Sequence, residues 1–100
     1  MEPKEPDKMN ALGYFLIDKD RNINEGLELV DKTLALNPDN YEYLHCKGWG
    51  LYKQSKYQEA LDVLQKSRDL RREKAVYNQE AFLHLEAAKK TVANQKRTDR

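Results

Sequence analysis

EGLELVDKTLAL at residues 25–36 and EALDVLQKSRDL at residues 59–70 are two versions of one phrase. A shift of 34 places superposes Glu25 on Glu59, Gly26 on Ala60, Leu27 on Leu61, Val30 on Leu64, Lys32 on Lys66, Thr33 on Ser67 and Leu36 on Leu70. A fixed period of this length is the mark of one supersecondary unit stacked on its copy, since neither unit can bury its apolar face alone. The apolar residues within each phrase recur at three- and four-residue steps, the spacing of one helix face.

Working outward, Met9, Leu12, Leu16 and Ile17 predict a first helix over about Asp7 to Lys19. Asn22, three residues before Glu25, can satisfy the orphan amides that open the second helix, and Asn37-Pro38-Asp39-Asn40 ends it. The cycle repeats. Asp39 before Glu42 opens a third helix carrying Tyr41, Leu44, Gly48, Leu51 and Tyr52, and Ser55 before Gln58 opens a fourth with Leu61, Leu64 and Leu70 inward. From Tyr57 to Ala93 there is no Gly or Pro, so local signals alone allow one long helix. The repeat instead demands a turn near Arg71 to Lys74, followed by a fifth helix with Tyr77, Ala81, Leu85, Ala88 and Val92 on its buried face.

The chain of 100 residues suits one small domain, with 35% charged and 39% hydrophobic residues. Eighteen Lys and Arg against seventeen Asp and Glu leave a net charge of +1, which lacks the overall footprint of a nucleic-acid binder. A lone cysteine, Cys46, excludes an intrachain disulfide. No apolar run approaches the roughly 20 residues of a membrane span, and the start MEPKEPDK has no apolar core of a signal peptide. The compartment is left open.

The spacing of Leu44, Gly48, Leu51, Tyr57, Ala60, Leu64 and Ser67 resembles the tetratricopeptide repeat, a pair of antiparallel helices with small residues where the helices touch. Met9, Leu12, Gly13, Leu16, Ile23, Gly26, Val30, Thr33 and Pro38 supply the same pattern earlier, with one extra loop residue near Arg21. Lys47 stands where the family has leucine, and Arg72 where it has the helix-ending proline. The resemblance implies an all-α, right-handed α-solenoid of two helical hairpins (7–38 and 39–72) and a capping helix (74–93), between a lead-in at 1–6 and a polar tail at 94–100. NALGYFL, INEGLELVDKTLALNPDN and GWGLYKQ are similar to the C-terminal repeats of longer bacterial tetratricopeptide proteins, which makes the chain a candidate fragment of a longer, exportable parent.

The resemblance also implies a concave surface formed by the first helix of each pair. Carried onto this chain, its exposed inner positions are Asn10, Tyr14, Ile17, Asp18, His45, Trp49, Tyr52 and Lys53. Trp49 is the expected anchor for a protein or peptide partner, with core packing as its alternative. Family members that grip acidic C-termini use a clamp of lysine, asparagine and arginine; Asn10, Tyr14, Cys46 and Glu80 at those places do not support one.

Catalysis is not expected. His45 and Cys46 are adjacent, so a helix points them about 100° apart. One cysteine and two distant histidines fall short of a zinc site, and no Gly-rich phosphate loop is present, so neither metal nor cofactor is expected. Arg68, Arg71, Arg72 and Lys74, then Lys89, Lys90, Lys96, Arg97 and Arg100, read as solvated helix ends. The expected function is a non-catalytic protein-interaction module, a monomer or weak homodimer. The alternative is a structural cap or self-association surface, and RNA binding through the basic stretches comes third.

Overall fold

The computed structural model describes residues 4–74 and 77–98. Parts of the expected lead-in (1–3), of the expected cap (75–76) and of the tail (99–100) lie outside the described residues. Five α-helices follow one another: α1 (Pro6–Asp18), α2 (Ile23–Leu36), α3 (Tyr41–Lys53), α4 (Tyr57–Glu73) and α5 (Gln79–Thr98). There is no strand among the described residues. Helix α3 begins 35 residues after α1, whereas α4 begins 34 after α2, so the extra residue lies in the α1–α2 connection.

Each hairpin is closed by the same device. The chain leaves α1 through Asp20 at φ 54° and leaves α3 through Ser55 at φ 66°, both left-handed. Arg21 N–H then donates to Leu16 O and Lys56 N–H to Leu51 O, each at 2.9 Å, satisfying carbonyls that a helix end leaves orphaned. Ser55 is therefore spent on ending α3, and α4 opens at Lys56 without a side-chain cap, against the expected Ser55–Gln58 pairing. Asn22 does cap α2, its Oδ1 accepting from Glu25 N–H at 3.0 Å. The cap of α3 falls on Asn40, not Asp39, and accepts from the Glu42 and Tyr43 amides. Asn78 does the same for α5 at Ala81.

Glycines set the distance between α1 and α2. A Cβ on Gly13 would lie 2.8 Å from Gly26 O, and one on Gly26 would lie 2.6 Å from Gly13 O, so the two backbones are in direct contact. Around this contact Ile17, Leu27, Val30 and Cys46 form a sealed core, with Tyr14, Ile23, Leu34 and Trp49 at its edge. Helix α3 joins through Gly50, where a Cβ would meet Leu27 Cδ2 at 2.5 Å. Polar links brace the same seam: Lys47 pairs with Asp31 at 2.7 Å, so the lysine at the expected leucine position reaches solvent while tying α3 to α2.

In the second hairpin Gly48 lies against Leu64, and Ala60 is completely buried. Ser67 Oγ donates to Tyr41 O at 2.7 Å across the far end. The long-helix alternative for residues 57–93 does not describe this chain, because α4 ends at Glu73 and α5 starts at Gln79 and packs back on α4. Leu85, Ala88 and Val92 are buried by that packing, Leu85 and Ala88 forming a second core with Leu64. Tyr77 is not part of it. It precedes α5 and is 75% exposed, which corrects its expected place on the buried face.

Candidate functional site

Helices α1, α3 and α5 border a surface that carries seven of the eight expected groove residues, and all eight are buried or half-buried. Ile17 is the clear correction. It has no exposure, because the turn of α1 that carries it faces Leu27 and Val30, so it belongs to the core and cannot line a surface. Asn10 and His45, expected as exposed, are each only 8% exposed. Tyr14, Asp18, Trp49, Tyr52 and Lys53 are half-buried.

The aromatic end of this surface is occupied by α5. His84 lies parallel to Trp49, with ring centroids 3.6 Å apart and planes 3° apart, and Tyr52 is also parallel to Trp49 at 4.9 Å. Tyr52 Oη is 3.1 Å from Thr91 Oγ1, which ties α3 to α5 about one turn farther along α3 and two along α5. Lys53 sits over the Trp49 ring at 5.6 Å and pairs with Asp20 at 3.1 Å. Trp49 is thus packed between elements of the fold, with its Nε1 buried and unpartnered. The expectation of an accessible tryptophan is corrected, and its reason is the register of α5.

His45 and His84, 39 residues apart, meet through Nε2 and Nδ1 at 2.7 Å. Such a contact needs one ring to donate and the other to accept, which two neutral imidazoles can do and two imidazoliums cannot. Burial pulls His45 down to about 3, reinforced by His84 and Arg71. It also pulls His84 down to about 4, with Asp18 opposing and Lys53 assisting. Both rings are neutral at physiological pH. If His45 donates, His84 Nε2 carries its proton toward Glu80, whose carboxylate is 4.0 Å away. Burial pushes the neighbouring Cys46 thiol up to about 12, so it is an inert packing group. No group of three potential metal ligands exists among the described residues.

The opposite end of the surface is open. Asn10, Ala11 and Tyr14 from α1, Glu42, His45 and Cys46 from α3, and Asn78 and Glu80 at the start of α5 surround a hollow of about 230 Å³, with Arg71 from α4 at its floor. Three buried polar atoms in this wall have no hydrogen-bond partner: Asn10 Oδ1, Tyr14 Oη and Arg71 Nε. Arg71 is only 6% exposed, so it is not the solvated helix end that its place in a basic run suggests. Its guanidinium lies 4.8 Å from the Tyr41 ring centroid. Sequence reasoning missed it. Its position four residues after Ser67 on the inward face of α4 was the available signal.

A TPR repeat-containing protein of Pseudomonas aeruginosa is 42% identical over 60 residues, covering 57% of this chain and 10% of that protein. The relationship is tetratricopeptide-like. The chain spans about a tenth of the length of that curated relative. No family model matches, and no solved structure matches. The all-helical architecture agrees with this relationship, and no helix among the described residues is long and apolar enough to cross a membrane.

Proposed function

We propose that the chain is a protein-interaction module within a stack of tetratricopeptide-like hairpins, and that it holds a segment of a partner protein in the hollow between α1, α3 and α5. The observation that carries this reading is the open hollow itself, bordered by polar side chains from three helices: Asn10 and Tyr14, Glu42 and His45, Asn78 and Glu80. An extended peptide offers alternating N–H and C=O groups, which suit a wall that carries both donors and acceptors. The groove is then anchored at its Asn10–Arg71 end, while Trp49, Tyr52 and Lys53 hold α5 in place and shape the far wall.

The similarity to a TPR repeat-containing protein supports protein partners in general. A second reading, continuation of the stack onto further helices, is favoured by Phe82 and Leu83 on α5, which are 48% and 54% exposed. A photo-crosslinking side chain at Ala11, on the rim of the hollow, tests the first reading. Placed in the protein in its own cells, it should capture one protein that the same probe at Glu28, exposed on α2, does not. Equal capture at both positions, or capture of a second copy of this protein only, would overturn the groove.

A further inference from the structure

Between α4 and α5, on the other side of Arg71 from the polar hollow, lies an apolar pocket of about 130 Å³. Leu64, Ala81, Phe82 and Leu85 form its walls. Its volume is close to that of a cavity that takes a single benzene ring, so it has room for one branched or aromatic side chain. Phe82, at the wall, is 48% exposed, although it is large and apolar. Charge is distributed one-sidedly. Arg68, Arg71 and Arg72 line this pocket, and no carboxylate does among the described residues.

Arg71 is the unusual member of that set. An arginine removed from water normally has a carboxylate or several acceptors around it, because an unpaired buried charge costs several kcal/mol. Here the guanidinium lies against the ring of Tyr41, its Nε has no hydrogen-bond partner, and Glu42 acts on it only from beyond ion-pair distance. Arg71, with His45 and Asn78, borders both the apolar pocket and the polar hollow, so the two adjoin at this residue. Glu42 and Glu80 stand on the polar side and repel a second anion beyond Arg71.

We propose that the arginine-lined apolar pocket is a docking site for an internal acidic–apolar segment of a partner protein, with an Asp or Glu carboxylate on Arg71 and the adjacent Leu- or Phe-type side chain in the pocket beside Phe82. It rests on the interaction-module reading above and specifies what that module recognises. The carboxylate takes the planar, two-pronged contact that a guanidinium offers, in a site where water is already excluded. The segment is internal, not a chain terminus, because the polar hollow adjoining the pocket at Arg71 leaves room for further chain, while Glu42 and Glu80 there disfavour the second negative charge of a terminus.

The test is a titration of the intact ¹⁵N-labelled chain, followed by amide shifts, with blocked dipeptides as probes. N-acetyl-phenylalanyl-aspartyl amide should move the amides of residues 64–72 and 79–85. Its asparaginyl counterpart, which keeps the shape and loses the charge, should bind about tenfold more weakly or worse. N-acetyl-alanyl-aspartyl amide should be weakened likewise through the empty pocket. Arg71→Met should abolish the preference for aspartyl over asparaginyl, and Arg71→Lys should recover part of it. The comparison among probes on the unmodified chain decides the matter even where Arg71→Met does not fold. Equal binding of the aspartyl and asparaginyl probes, or no shift in these residues at millimolar concentration, overturns the proposal. Tighter binding of N-acetyl-phenylalanine, with its free carboxylate, would assign the site to chain termini and overturn the internal segment. A partner captured at Ala11 with no response to any dipeptide would leave the groove standing and remove this site alone.

Discussion

Replacing Gly26 with Ala is the most direct challenge to the account of how α1 meets α2. In isolation the change favours folding, since alanine in a helix interior is about 0.5–1 kcal/mol better than glycine. The structure opposes it. The new methyl would stand 2.6 Å from Gly13 O and 2.8 Å from Ile17 Cγ1, and the first of these is backbone in the middle of a helix. A side chain can rotate away; a carbonyl held in α1 moves only with the helix. Ile17 offers no escape either, being fully buried against Leu27 and Val30. Overpacking of this kind costs about 1–3 kcal/mol, so it outweighs the propensity gain, and a net loss of about 1–2 kcal/mol is expected. For a domain of this length that lowers Tm by roughly 4–16 °C. Gly48→Ala supplies the contrast. Its nearest obstacles are Leu64 Cγ and Cδ2 at 2.6 and 2.7 Å, with backbone no nearer than Leu64 N at 3.3 Å, so relief needs only a shift of Leu64 within the second core and the net cost should be smaller than at a direct backbone contact. Thermal and urea unfolding of both variants, read by circular dichroism, measure the difference. A Gly26→Ala chain as stable as its parent would refute the backbone contact between Gly13 and Gly26, and with it the reason for the glycines at that seam.

Two further outcomes follow from named atoms. Ser55→Gly should raise stability by about 0.5–1 kcal/mol, because Ser55 ends α3 at φ 66°, where a Cβ is disfavoured and glycine is not; an unchanged or lower urea midpoint would count against the left-handed turn. Acid should destabilise the chain through the imidazole pair: His45 and His84 are held below their ordinary value of 6.5, so their contribution is complete above pH 6.5 and is lost as pH falls toward 4 and then 3. His45 contributes up to about 1.4 kcal/mol per pH unit in that window, His84 less because it lies nearer solvent. His84→Gln, whose amide can still meet His45, should flatten the slope of stability between pH 6.5 and 5, and an unaltered slope would remove the pair as its source.

The hairpins were legible because their determinants are local and repeated. Gly13, Gly26, Gly48 and Ala60 announce close helix contacts by size alone, and their recurrence identifies the pairs. The extra residue near Arg21 was visible for the same reason. Caps were less so. In Asn37-Pro38-Asp39-Asn40 several side chains can accept from an amide, and the choice of Asn40 is made by the phase that puts Leu44, Gly48 and Leu51 inward. Ser55 was misread because capping and left-handed closure both favour small polar residues, and only the end of α3 decides between them. The site was the least legible part. Whether Trp49 faces a partner or a neighbour depends on where α5 lies along α3, and no spacing in the chain encodes that offset. Arg71 carries the same lesson. Composition placed it in a basic run, while the ring of Tyr41 and a place between two adjoining hollows gave it another environment.

The role of α5 joins these strands. It closes the second hairpin through Leu85, Ala88 and Val92, and that packing alone would suit a simple end cap. The same helix also carries His84 onto Trp49, Thr91 onto Tyr52, and, through Asn78 and Glu80, one wall of the polar hollow. On the proposed function, stability and recognition are coupled in this one element. Any change that loosens α5, protonation of the imidazole pair included, removes a wall of the hollow while α1 and α2, held by their glycine contact, remain packed. Partner affinity should fall before helicity does as pH is lowered. A rigid groove formed by α1 and α3 alone would lose the two together.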